Sequence, residues 1–152
     1  MAIRAPIGCS IDLSVNDWTF CQKALVTLAA LQLLWALAGF IAEPSFQIGA
    51  DAPTEKVLWV DFNGIHALSG LLLFGPAFYF ARRPDWALYY TLYIVVALYA
   101  TGIWALFDEQ PGWVFTFPDN ANDGIFHLAT GTIFAVVAAI QLRQDRMRAV
   151  SV

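Results

Sequence analysis

The chain has 152 residues, of which 59% are hydrophobic and 13% charged, and its formal net charge is −4. An average soluble domain carries roughly 25% charged residues, so this composition points to one compact membrane-embedded unit. The acidic balance excludes a nucleic-acid-binding surface, which needs clustered cations to neutralise phosphates.

Residues 1–17 are mixed in polarity and read as a cytoplasmic or interfacial segment. Ser14, followed three residues later by Asp17, resembles a capping box that opens a helix at Trp18. The first apolar run, residues 18–42, reaches the ~20 residues needed to cross a bilayer core. It is too long for a cleaved signal segment and reads as a retained anchor. Gln32 sits near its middle, where an amide calls for a hydrogen-bond partner on a neighbouring helix. The following stretch, from Glu43 to Val60, holds Pro44, Gly49 and Pro53 and forms a polar loop outside the membrane.

A second run, residues 62–82, begins at Asp61 or Asn63, either of which caps exposed backbone N–H groups. Gly75-Pro76 inside it removes a hydrogen bond and kinks the axis. The turn Arg82-Arg83-Pro84-Asp85 is short, so the third run, residues 85–107, is its antiparallel neighbour. Pro84 suits a helix start, where its missing N–H costs nothing. The third run is rich in aromatics: Tyr89, Tyr90, Tyr93, Tyr99 and Trp104. A second outer loop, Asp108 to Asn122, contains the turn signals Pro111-Gly112-Trp113 and Pro118-Asp119. The fourth run covers residues 123–143.

Cations set the orientation. Arg82, Arg83, Arg143, Arg146 and Arg148 flank one side of the runs, whereas the other two connections are nearly all acidic. The positive-inside rule places both termini and the Arg82-Arg83 turn in the cytoplasm. The predicted fold class is therefore an all-α integral membrane four-helix bundle running up-down-up-down, residues 18–152. Trp59 and Trp113 fall at its outer boundary, and Trp18 and Trp86 at its inner one, as in an aromatic belt. Cys9 and Cys21 lie on the cytoplasmic side without metal-ligand spacing, and read as reduced thiols.

The chemistry concentrates in two matched motifs that hold both histidines of the chain. They read Asn63-Gly-Ile-His66-Ala-Leu-Ser69-Gly70 and Asp123-Gly-Ile-Phe-His127-Leu-Ala-Thr130-Gly131. Each carries a hydroxyl residue three positions after the histidine and a glycine four positions after it. An ionisable side chain in hydrocarbon is costly and marks a functional site or a buried polar network. His66 lies five residues after Asp61 and His127 five after Asn122, so both sit at one depth near the outer face. Helices two and four are diagonal partners in such a bundle, and their imidazoles are expected to meet. His127, Gly131, Ala135 and Ala139 form a line of small residues beneath one histidine; Gly70 and Phe74 lie beneath the other.

Three readings stand for this pair. In a structural polar network, His66 and His127 bond Asn63, Ser69, Asp123, Thr130 or a backbone carbonyl, and no cofactor is needed. In the second, the imidazoles are axial ligands of haem b or of a chlorophyll-type pigment, with Gly70 and Gly131 allowing close approach. In the third, the site takes a quinone, a lipid headgroup or a metal ion. Zinc would need two more ligands from Asp61, Asp119 or Asp123. No nucleophile elbow, phosphate loop or HExxH occurs, so an enzyme is not expected. No chain of ionisable groups continues below the histidines to carry protons.

The paired motifs Asn63-x-x-His66-x-x-x-Gly70 and Asp123-x-x-x-His127-x-x-x-Gly131 resemble the domain of unknown function 4383 family of bacterial four-helix membrane proteins. The likeness covers roughly residues 25–142, including the aromatic third helix after a short basic turn. Met1–Asn16 and the Gly75-Pro76 kink depart from the pattern. The resemblance implies a fold but no activity; the expected location is a bacterial inner or photosynthetic membrane, crossed several times. Small size, the missing catalytic groups and an aromatic surface together give the expectation of an accessory subunit. Its partners would be membrane lipids and other subunits of a respiratory or photosynthetic complex.

Overall fold

The computed structural model describes residues 17–49, 52–107 and 121–150. Their elements run α1 (Phe20–Ala42), β1 (Glu55–Val57), β2 (Val60–Phe62), α2 (Gly64–Phe74), α3 (Ala77–Phe80), α4 (Pro84–Phe107) and α5 (Ala121–Val150). The fold is mostly helical. Three helices, α1, α4 and α5, are long and apolar enough to cross a membrane, and Gly64–Phe80 is a shorter apolar helical run. Only 22–33% of the most apolar window of each long helix is buried inside the chain. Large apolar side chains such as Leu34, Ile41, Val96 and Phe107 therefore face outwards. In water such a surface would aggregate; lipid tails are as apolar as leucine and accept it. The chain is a multi-pass membrane protein.

The helix starts differ from expectation for local reasons. Thr19, not Ser14, caps the first helix: its hydroxyl accepts from the Gln22 N–H, and the Gln22 side chain accepts from the Thr19 N–H. Ser14, like Cys9, Trp113, Asp119 and residues 108–120 of the second outer loop, lies outside the described residues. Asn63, not Asp61, caps α2, because Asp61 is still in a strand. The second run is helical from Gly64 to Phe80 and is interrupted at Gly75-Pro76: α2 ends at Phe74 and α3 begins at Ala77, because proline has no N–H to give the preceding turn. The last helix starts two residues earlier than predicted and extends beyond 143 to Val150.

The connection after α1 is not simply irregular. β1 and β2 form an antiparallel hairpin pairing Glu55 with Phe62, Lys56 with Asp61 and Val57 with Val60. Val60 and Phe62 are buried while Asp61 is partly exposed, the period-two alternation of a half-buried strand. The tip holds Leu58 at φ 61°, a left-handed conformation that costs a side-chain-bearing residue roughly 1–2 kcal/mol.

Packing joins α1 to α2 and α4 to α5, with Leu25, Ala29, Phe74, Ile94, Leu98 and Phe134 in the shared core. A polar knot ties the arginine-bearing end. The Cys21 N–H donates to Gln141 Oε1 (3.1 Å), Gln22 Nε2 donates to the Ala81 carbonyl (2.7 Å), and the Cys21 thiol lies 3.4 Å from Thr91 Oγ1. These bonds bring the start of α1, the end of α3, the start of α4 and the late part of α5 together.

At the opposite end α4 and α5 cross on glycine. A Cβ built on Gly102 would lie 2.9 Å from the Gly124 carbonyl oxygen, and one on Gly124 would lie 2.9 Å from that of Gly102. Neither backbone can retreat without opening the α4–α5 interface. Gly102→Val is expected to destabilise the fold by about 1–3 kcal/mol through overpacking, read as a lower melting temperature in detergent. An unchanged melt would mean that the two helices do not cross there.

Candidate functional site

The histidine end is built from the hairpin outward. The ring of Phe62 fills the place that a side chain on Gly39 of α1 would take. This seats β2 against the end of α1. Gly64 then passes so close to the 44–45 segment that a Cβ would lie 2.7 Å from the Pro44 and Ser45 carbonyl oxygens. The Gly64 N–H donates to the Ser45 carbonyl (2.7 Å) and Asn63 Nδ2 to the Gln47 carbonyl (3.2 Å). Asn63 Oδ1 accepts from the His66 backbone N–H (3.0 Å), so its role is to cap α2.

His66 is buried, and its ring Nδ1 is 2.8 Å from the Asp61 carbonyl oxygen. A carbonyl only accepts, so Nδ1 carries the proton, and in the neutral imidazole Nε2 is the acceptor. The ring also stacks on Phe62, with centroids 4.6 Å apart and planes 22° apart. Ser69 does not serve the imidazole: its hydroxyl donates to the His66 carbonyl (2.7 Å). Asp123 is fully buried in the first turn of α5 and accepts from the Asp61 N–H (3.1 Å), pinning the hairpin to that helix. The N-terminal turn of a helix favours a carboxylate. Asp61 itself takes two hydrogen bonds from Lys56 Nζ (3.0 and 2.8 Å), which raise the Lys56 pKa above its ordinary value.

The two imidazoles do meet. Their centroids are 5.9 Å apart and their planes 44° apart. The equal spacing from helix starts is not the cause. His66 lies only about 3 Å along α2 from Gly64, whereas His127 lies about 9 Å along α5 from Ala121. The rings come level because α5 starts before residue 123 and the hairpin sets where α2 begins. One histidine belongs to the α1–α2 pair and the other to the α4–α5 pair.

Beneath them lies a cavity of about 210 Å³ lined from all the long helices and from α2. His66, Ser69, Gly70, His127 and Thr130 are on its wall. Gly131 is not: it packs on α4, where a Cβ would lie 3.3 Å from Leu98 Cβ. Gly70 likewise approaches α1, at 3.2 Å from Ala36 Cβ. The expected small-residue line along the last helix does not hold, since Ala139 is exposed while Thr130, Phe134 and Val137 are buried. Steps of four residues drift about 40° per step around a helix of 3.6 residues per turn.

Three polar groups of the wall are not satisfied within the described residues. The Gln32 amide, expected to bond a neighbouring helix, makes no such hydrogen bond there. The Thr130 hydroxyl, expected to join the histidine network, makes none either, although Thr130 is only 6% exposed. The Trp35 indole N–H is buried without an acceptor. Trp35, Phe62 and Phe126 complete the wall and were not singled out from sequence. Trp35 follows Gln32 by three residues on one helical face, which was a readable signal; Phe62 reaches His66 from a strand, which no helical spacing reveals.

This geometry bears on the three readings. The cavity, at about 210 Å³, is smaller than the roughly 300–1,000 Å³ of ordinary small-molecule sites and does not enclose a tetrapyrrole macrocycle. Among the described residues no cluster of three His, Cys, Asp or Glu is placed to hold a metal ion; Asp119 lies outside them. What the arrangement does is close a polar lock among β2, α2 and α5.

A family model described as Domain of unknown function (DUF4383) matches residues 22–140. No curated protein and no solved structure matches the chain.

Loss of the imidazole leaves the part-buried Asp61 carbonyl without its donor. His66→Ala is expected to cost about 1–2 kcal/mol, measured as thermal unfolding in detergent. Asn63→Ala should cost about 1 kcal/mol as a lost cap and speed amide exchange in the first turn of α2. If both variants melted like the parent, the lock would carry no stability.

Proposed function

Because this chain belongs to the DUF4383 family, a family defined without an activity, we infer that it is a non-catalytic membrane subunit. It spans the membrane four times, with Gly64–Phe80 as the second span, and stabilises a larger complex through its aromatic outer face. Both termini and the Arg82-Arg83 turn lie in the cytoplasm, and the hairpin and histidines lie at the opposite face. The membrane is a bacterial inner or photosynthetic one, and the complex a respiratory or photosynthetic assembly.

One observation carries the subunit reading. Tyr93 is 57% exposed and its hydroxyl makes no hydrogen bond among the described residues. It lies nine residues into α4, about 13.5 Å along the axis, close to the middle of a hydrocarbon core about 30 Å thick. A phenol there cannot be solvated by water, and leaving it unpaired in an apolar medium is costly. A neighbouring subunit with an acceptor resolves this. Phe80, Trp86, Tyr89 and Tyr90 line a shallow groove with Tyr93, which offers flat, rigid contact area of the kind interfaces favour.

Purification from native membranes in mild detergent is expected to bring the chain down within a larger assembly, and the identity of that assembly decides its respiratory or photosynthetic nature. Tyr93→Phe should weaken the association while leaving the melting temperature of the isolated chain unchanged. A chain that migrates alone from native membranes, or a Tyr93→Phe variant that associates normally, would overturn the reading. The isolated protein is also expected to be colourless in reduced-minus-oxidised spectra. A visible band lost in His66→Ala or His127→Ala would restore the tetrapyrrole alternative.

A further inference from the structure

The cavity below the histidines combines features that a merely filled interior would not keep. Its walls come from membrane helices, so a ligand reaching it would come from the bilayer. No Lys, Arg, Asp or Glu lines it, which disfavours a phosphate, a carboxylate or a metal ion. Its apolar part includes four aromatic rings, those of Trp35, Phe62, Phe74 and Phe126, and aromatic walls suit a planar ring.

The polar part is arranged as donors in want of acceptors. The Thr130 hydroxyl and the Gln32 amide are on the wall and make no hydrogen bond within the described residues. The hydroxyl is the more telling of the two. A threonine inside a helix commonly bonds the carbonyl four residues back, as Thr91, Thr101 and Thr132 all do here. Thr130 does not, though it is 94% buried by its 6% exposure.

We propose that this cavity is a binding site for a quinone headgroup, a neutral membrane-dissolved ring whose carbonyl oxygens accept from Thr130 and Gln32. The ring lies against the aromatic wall to which Trp35 and Phe126, themselves in contact at a centroid separation of 4.7 Å, contribute. The volume of about 210 Å³ holds a single substituted ring and leaves an isoprenoid tail outside. The site stands independently of the subunit reading, since it belongs to the isolated chain.

The test is equilibrium binding of two short-tailed probes, ubiquinone-1 and menadione, to the purified full-length protein in detergent. Saturable binding of at least one is expected. Thr130→Val and Gln32→Leu should each weaken it about five- to tenfold, the loss expected for one buried hydrogen bond. Thr132→Val, which alters a hydroxyl bonded to Tyr99 outside the cavity, should bind like the parent. Ala97→Phe, which fills the cavity from α4, should abolish saturable binding; if it fails to fold, the two conservative variants decide. Binding that never saturates, or equal affinity in the parent, Thr130→Val and Gln32→Leu, would mean that the cavity holds only water and overturn the proposal. Co-migration with a larger complex tests the subunit reading and leaves this result untouched.

Discussion

A polar group inside hydrocarbon has no water to fall back on, and the arrangement of this chain follows from where it can satisfy such groups. Two knots do so, one at each end. At the arginine-bearing end, Cys21, Gln22 and Gln141 exchange bonds between the first helix, the last helix and the Ala81 carbonyl. At the other, the backbone of Asp61 is used twice: its carbonyl faces the His66 ring and its N–H bonds the Asp123 carboxylate. One strand residue thereby connects α2 to α5. Removing either side chain leaves a part-buried backbone group of Asp61 without that partner.

Close approach supplies what the polar knots cannot. With no hydrophobic drive between helices in lipid, association depends on contact area and on backbones coming near. Glycine permits this at three separate places. Gly102 and Gly124 let α4 and α5 touch, Gly39 admits the Phe62 ring, and Gly64 lets the first turn of α2 pass the 44–45 segment. Each crossing positions one component of the histidine end: the His127-bearing helix, the ring that stacks on His66, and the helix that carries His66. The site is thus a product of three backbone contacts, and the imidazoles meet as their consequence. The cavity beneath is lined from α1, α2, α4, α5 and the second strand of the hairpin.

The sequence made the spans readable because hydropathy is a sum over some twenty residues and tolerates local error. The helices at 18–42 and 85–107 differ from α1 and α4 by no more than two residues. The histidine pair was legible because two identical spacings in a chain with two histidines leave little choice. The hairpin was not, since three-residue strands lack the length for a period-two pattern and the tip carries Leu58 where glycine or asparagine would have signalled a turn. The roles of Ser69 and Thr130 could not be read either. A hydroxyl on a helix turns to its own backbone or to a neighbour according to rotamer, and the two motifs chose differently: Ser69 bonds the His66 carbonyl while Thr130 faces the cavity.

By itself the sequence determined that this is a multi-pass membrane protein with its ionisable chemistry gathered in two matched histidine motifs. Composition and run length decide that, because the cost of burying charge in lipid depends little on how helices are arranged. The tertiary structure alone decided which residues face each other. Asp123 holds the hairpin, Gly131 serves α4 and not the cavity, and Gln32 lines the cavity wall. Lipid is apolar on every side, so hydrophobic patterning does not fix the rotation of a helix about its axis. Rotation is set by the glycine crossings and by the few buried hydrogen bonds, and these exist only once the helices have packed.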